Sequence, residues 1–186
     1  MPRHGRARDE PGRGEPPAMT EILSADGTQK ECLCTRGVVG GTFSLLHRGH
    51  RRLLRFALLC SQELLVGVTS DEYVKERGKS HPVEPYEVRA LSVLTFLKTV
   101  DPSRPVAIVP IDDEYGPATS DPCADCIFVS EETFPGAVKV NMLRRLRGLP
   151  PLKIFAVELV TVEGVRLSST YLWERLQRKR GSARTE

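Results

Sequence analysis

Gly40-Gly41-Thr42-Phe43-Ser44-Leu45-Leu46-His47-Arg48-Gly49-His50 gathers the side chains best suited to chemistry in this chain of 186 residues. Its two histidines are three positions apart, one turn on a helix, so both rings can address one ligand. The glycines let backbone approach that ligand closely. A helix beginning near Arg48 adds free N–H groups and the positive end of its dipole. Arg48, Arg51, Arg52 and Arg55 crowd the first two turns, where exposed cations oppose the dipole by about 0.3–1 kcal/mol each. A bound polyanion reverses that sign. These residue types in this order point to the handling of phosphates.

The elements that must position this stretch follow from the hydrophobic pattern. The apolar runs at 36–41, 64–69, 106–109, 127–130 and 153–160 read as strands. Helical patterns lie between them. Residues 48–61 carry Leu53, Leu54, Ala57 and Leu58 on one face. A short helix is capped at Ser70-Asp71 and runs past Lys75. Residues 85–99 start at Pro85 and space Leu91, Leu94 and Leu97 helically. A helix after strand four is stopped at Gly148 and Pro150-Pro151. A last helix begins after Ser168-Ser169-Thr170. Strands alternating with helices predict an α/β fold: a five-stranded parallel sheet with right-handed crossovers and helices on both faces. Ligands of such sheets sit beyond the carboxyl ends of the strands, where strand order reverses. The segments 40–50, 69–75, 110–122, 130–139 and 167–170 all follow strand ends.

The length suits one domain, expected over 31–178, with residues 1–30 a disordered Pro/Gly/Arg/Glu-rich extension and 179–186 a flexible basic tail. No apolar run reaches membrane-span length, and the N-terminus has no apolar stretch of the signal-peptide kind, so a cytoplasmic protein is expected. Net charge is +3, yet residues 31–170 hold 17 basic and 17 acidic side chains. The excess lies in the tail, and a balanced body argues against nucleic acid as partner. Cys32-x-Cys34 precedes the first strand and Cys123-x-x-Cys126 opens the fourth. If those strands are parallel neighbours, both pairs share the sheet edge opposite the phosphate-handling end. A disulfide, a four-thiolate zinc site or free thiols are all open.

The run Gly41-Thr42-Phe43 through His47-x-Gly49-His50, with Ser168-Ser169-Thr170 near the end, resembles the H-x-G-H nucleotidyltransferase superfamily. The blocks Pro85-Tyr86-Glu87-Val88-Arg89, Asp113–Pro122 and Val129–Phe134 resemble, more narrowly, phosphopantetheine adenylyltransferases of the archaeal and eukaryotic type. The resemblance covers about residues 37–176. It implies a Rossmann-like nucleotidyltransferase fold and transfer of AMP from ATP to 4′-phosphopantetheine, giving dephospho-coenzyme A and pyrophosphate. The nucleophile is then a phosphate already ionised near neutrality, so the protein's work is positioning and charge stabilisation. The resemblance further implies that His50 and His47 contact the ATP phosphates, that Thr42 holds the incoming phosphate, and that Lys75 reaches the phosphates of both substrates. Gly40, Gly41, Phe43 and Gly49 shape the nucleotide site. Ser168, Ser169 and Thr170 suit the β- and γ-phosphates, and Lys139, Arg144 and Arg145 are candidates for further phosphate contact. Mg²⁺ is expected with ATP, held mostly by substrate and water; no protein metal ligands, and a monomer or small homo-oligomer, are expected. Ser44 stands where the family usually has Asp, and Trp173 where it usually has Arg. Another phosphate acceptor, or a non-catalytic nucleotide or coenzyme A binder, is the alternative reading.

Overall fold

Five apolar runs close into one parallel sheet in the order β3-β2-β1-β4-β5. The strands are β1 (Cys34–Gly41), β2 (Ser61–Thr69), β3 (Val106–Ile111), β4 (Cys126–Ser130) and β5 (Lys153–Val157). The helices are α1 (Arg48–Cys60), α2 (Asp71–Glu76), α3 (Tyr86–Val100) and α4 (Phe134–Leu146). This computed structural model describes residues 33–78 and 81–158, with the backbone of a small antiparallel pair, β6 (Thr161–Val162) and β7 (Val165–Arg166). The expectations for residues 1–30, 168–170 and 179–186 lie outside the described residues.

Strand order reverses between β1 and β4, which pair in parallel. On one face, α1 and α3 bury Leu54, Ala57, Leu58, Val93 and Leu97 against Val39, Val66, Val68 and Phe128. On the other, α4 sets Ala137 and Val140 over Val38, Ile127 and Val129. The expected α/β architecture with helices on both faces is therefore what forms.

Some boundaries differ from the sequence reading, each for a local reason. β2 starts at Ser61 because the chain leaves α1 without a loop: Ser61 Oγ donates to Ala57 O at 2.8 Å and Arg104 Nη1 donates to Ser61 O at 2.7 Å. β3 continues through Pro110 to Ile111; it is an edge strand, where a missing N–H is tolerated. β5 ends at Val157 rather than near 160. In α3 the inward face is Arg89, Val93 and Leu97, while Leu91 is 64% exposed. The i, i+4, i+8 row, not the i, i+3, i+6 row, meets the sheet.

Because β1 and β4 are parallel neighbours, Cys34 and Cys126 meet at the amino-terminal edge and form a disulfide, Cα–Cα 5.9 Å. Cys123 is a free, exposed thiol and Cys60 a buried one; Cys32 lies outside the described residues. No described helix is long and apolar enough to cross a membrane.

Candidate active site at the carboxyl ends of the strands

The turn leaving β1 is built from non-glycine residues in the left-handed region: Phe43 (φ 54°), Leu45 (φ 56°) and Leu46 (φ 22°). Such backbone costs on the order of 1–3 kcal/mol per residue and persists only where surroundings enforce it. The enforcement is visible. Glu84 accepts from Ser44 Oγ at 2.7 Å and from Leu45 N–H at 3.1 Å. Arg51 Nε donates to Leu46 O at 3.1 Å, and its guanidinium lies 5.5 Å from the Phe96 ring centre. Phe43 is buried and meets His50 edge-on at 5.4 Å. Ser44, where Asp was the usual residue, thus has a carboxylate brought to it from Glu84 in the α2–α3 connection.

His47 is the residue that caps α1. Its Nδ1 accepts the His50 N–H at 3.4 Å, and the two rings stack with centres 3.7 Å apart. An accepting Nδ1 leaves the proton on Nε2, a donor suited to a phosphate oxygen. Burial lowers the His47 pKa from its ordinary value and keeps the ring neutral. Gly49 leaves room for this arrangement, since a Cβ there would press against the His47 ring at 3.1 Å.

Beside the turn, a cavity of about 390 Å³ opens where β1, β2, β3 and β4 end. Gly40, Gly41 and Thr42 form one wall, Tyr73 and Tyr115 another, and Lys139 of α4 a third. The Asp113–Pro122 block shapes the rim. Asp113 accepts from Tyr115 N–H at 2.7 Å and also from Gly116 N–H. Gly116 has φ +51°, and a Cβ there would meet Ile111 Cγ2 at 2.6 Å, so only glycine fits this turn. Across the mouth, Arg77 donates to Tyr73 OH at 3.0 Å and faces Glu114 at 3.8 Å.

The residue that fixes these loops relative to one another is Arg89, 1% exposed. Its guanidinium donates to Glu84 O (2.6 Å), Thr42 O (3.0 Å), Thr69 O (2.8 Å), Thr69 Oγ1 (3.2 Å) and Asp71 Oδ1 (2.7 Å). One side chain ties the ends of β1 and β2 to the starts of α2 and α3. The Tyr86 N–H, ahead of Arg89, holds the Asp71 carboxyl below its ordinary range. Within the Pro85–Arg89 block the sequence alone assigns Arg89 no role. The available signal was its phase, one helical turn before Val93 and two before Leu97.

Of the residues singled out from the sequence, Gly40, Gly41, Thr42 and Lys139 share the cavity wall. His47, Gly49 and His50 are not among the residues lining it; they stand at the start of α1, and Phe43 meets the His50 ring edge-on. Lys75 is not brought into that cavity; it lines an adjacent groove with Asp71, Gly78 and His81. Ser168, Ser169, Thr170 and Trp173 lie outside the described residues. Arg145 is exposed on α4. Arg144 is a correction: it is fully buried and donates to Ala118 O, Asp121 O, Ala124 O and Pro150 O at 2.8–3.2 Å, so its charge holds loop carbonyls and does not face a phosphate. Among the described residues, the one close group of three metal-ligating side chains is Cys34, Asp125 and Cys126. It sits at the opposite end of the sheet, and its sulfurs are bonded to each other.

A family profile described as Cytidylyltransferase-like matches residues 38–175. A phosphopantetheine adenylyltransferase from Methanopyrus kandleri is 46% identical over 136 residues, covering 73% of this chain and 86% of the relative. One from Pyrobaculum aerophilum is 41% identical over 142 residues, covering 76% and 91%. The fold superposes on the crystal structure of a protein of unknown function from Archaeoglobus fulgidus with a TM-score of 0.58 at 31% identity, covering 67% of this chain and 99% of that one.

Proposed function

The chain belongs to the cytidylyltransferase-like family, among the phosphopantetheine adenylyltransferases, and from that premise we propose how its residues divide the work. It transfers AMP from ATP to the phosphate of 4′-phosphopantetheine, releasing pyrophosphate and forming dephospho-coenzyme A. The observation that carries the site assignment is the cavity at the strand-order reversal, with Thr42 on its wall, together with the stacked histidines at the start of α1.

An oxygen of the phosphopantetheine phosphate attacks the α-phosphorus. The bond from that phosphorus to the α,β-bridging oxygen breaks, and its electron pair leaves with pyrophosphate. No proton need be removed from the nucleophile, so no general base is required. Thr42 holds the incoming phosphate at the end of β1. His50 donates to the α-phosphate as charge builds there, and neutral His47 offers its Nε2–H to a neighbouring phosphate oxygen. Gly40, Gly41 and Gly49 let main chain and imidazole come close, and Phe43 meets the His50 ring edge-on. Lys75 swings from the adjacent groove as a mobile point charge, and Lys139 supplies a second cation from α4. Ser168, Ser169 and Thr170 take the β- and γ-phosphates. Mg²⁺ enters with ATP. The ion would be held mostly by the triphosphate and water. The setting is the cytoplasm.

The test is product analysis. Chain, ATP, Mg²⁺ and phosphopantetheine yield dephospho-coenzyme A and pyrophosphate in equal amounts, whereas FMN or nicotinamide mononucleotide as acceptor yields none. The His50→Ala variant keeps its thermal melt and loses about 10²–10⁴ in turnover. Turnover close to that of the parent chain would remove His50 from the mechanism.

A further inference from the structure

The outer face of α4 carries Phe134, Val138, Met142 and Leu146, exposed by 42%, 42%, 61% and 85%. They recur every four residues, so they form one continuous ridge along the i±4 row. With a rise of 1.5 Å per residue the ridge is roughly 18 Å long. The inner face, Ala137, Val140 and Arg144, is spent on the sheet and its loops. The ridge leaves on the order of 400–500 Å² of apolar side chain in water, the range where a patch on a monomer is often functional.

The charges at its ends select an occupant. Glu131 is exposed just before the first turn, and Arg145 is exposed in the last. A second α4 laid antiparallel sets Glu131 of each copy beside Arg145 of the other, at both ends at once. A parallel neighbour would bring like charges together. We propose that this ridge is a two-fold interface between copies of this chain, with α4 packed antiparallel on α4. Phe134 then meets Leu146 of the second copy and Val138 meets Met142, an isologous arrangement in which each contact occurs twice. Two ridges bury about 900 Å², and their charged rims raise the total toward the lower end of the 1,200–2,000 Å² typical of specific interfaces. An interface of that size belongs with the weak, transient ones.

Sedimentation velocity of the full chain from about 1 to 500 μM tests this. The expected result is a monomer–dimer equilibrium, weakened at least tenfold by Met142→Glu or Leu146→Glu, with adenylyl transfer by dilute enzyme unchanged. Glu131→Arg alone weakens association, and the double variant Glu131→Arg/Arg145→Glu restores it. That rescue separates a two-fold α4 contact from nonspecific adhesion. A chain monomeric throughout overturns the proposal, including one whose ridge is covered by its own carboxyl-terminal residues or by anionic vesicles. So does a dimer insensitive to all four changes.

Discussion

Replacing Arg89 by Met tests whether one buried guanidinium sets the geometry of the active-site loops. The change preserves bulk and removes every donor to Thr42 O, Thr69 O, Thr69 Oγ1, Glu84 O and Asp71 Oδ1. Breaking a buried charged pair by deleting one partner costs about 3–5 kcal/mol. Asp71, however, is 37% exposed and rehydrates, which brings the expected loss to about 2–4 kcal/mol. For a domain of this size that is roughly 5–15 °C in Tm. The larger effect is on catalysis. Thr42 and the start of α2 lose their common anchor, and a displacement of about 1 Å can cost 10²-fold in rate. Guanidinium chloride melts give the stability term. Pyrophosphate-release kinetics at a temperature where the variant is folded give the positional term, expected as a fall in kcat/KM of about 10²-fold. Arg89→Lys should fall between, since an ammonium cannot reproduce the planar fork. Asp71 supplies a pH signature. Its folded pKa is depressed, so its stabilisation is present above the unfolded value near ~4 and lost as pH falls through the lower folded value. The Met variant should flatten that acid limb only in part, because the Tyr86 N–H, the largest cause of the depression, still donates to Asp71. A Met variant that melts lower but keeps kcat/KM within twofold would reduce Arg89 to a purely structural role; one unchanged in both would refute the clamp.

Glu84→Ala leaves Ser44 and the left-handed turn without their acceptor. A loss of about 1–2 kcal/mol and a several-fold rise in KM for ATP are expected in steady-state assays, with Glu84→Gln much milder. His47 has a depressed folded pKa, so its neutral ring stabilises the fold above about pH 6.5 and that contribution is lost as pH falls toward the lower folded value. A triphosphate pulls the same pKa upward. Calorimetry of ATP binding near pH 6 in buffers of different ionisation enthalpy should record proton uptake, abolished in His47→Asn, which retains a cap acceptor. Zero uptake in the parent chain would refute the upward pull of the triphosphate on the His47 pKa. The Cys34–Cys126 bond spans 92 residues of sequence, for which chain entropy predicts about 4–5 kcal/mol and practice commonly gives 2–4. Mass mapping should find that pair linked, Cys123 alkylated in the native protein and Cys60 only after denaturation. Labelling of Cys34 or Cys126 without reductant would exclude the bond.

Much of this was legible in the sequence because apolar runs and turn residues report directly on strands and their ends. The parallel sheet with helices on both faces, and the place of the Gly40–His50 stretch after the first strand, followed from such patterns. What stayed hidden were side chains whose chemistry contradicts their position. Arg89 and Arg144 are polar by type yet fully buried, and only the convergence of loop carbonyls from distant segments makes their burial tolerable. Leu91 is the reverse case: its spacing with Leu94 and Leu97 suggests an apolar face, whereas the buried row of α3 runs through Arg89, Val93 and Leu97. The Glu84–Ser44 contact joins positions 40 apart in sequence, beyond the reach of any local pattern.

The disulfide fastens β1 to β4 at their feet, while the ligand cleft opens at their heads. From Cys126 to the end of β4 is about 13 Å of extended chain, a lever arm that would magnify any splaying below into a wider gap above. Above that link the ladder from Gly37↔Cys126 to Val39↔Phe128 keeps the two strands from parting. At the rim, by contrast, the Arg77 and Glu114 side chains, 3.8 Å apart and half exposed, can part without the sheet moving. In heat, the covalent hinge-pin would keep the cleft's two sides in register after the surrounding helices had begun to loosen.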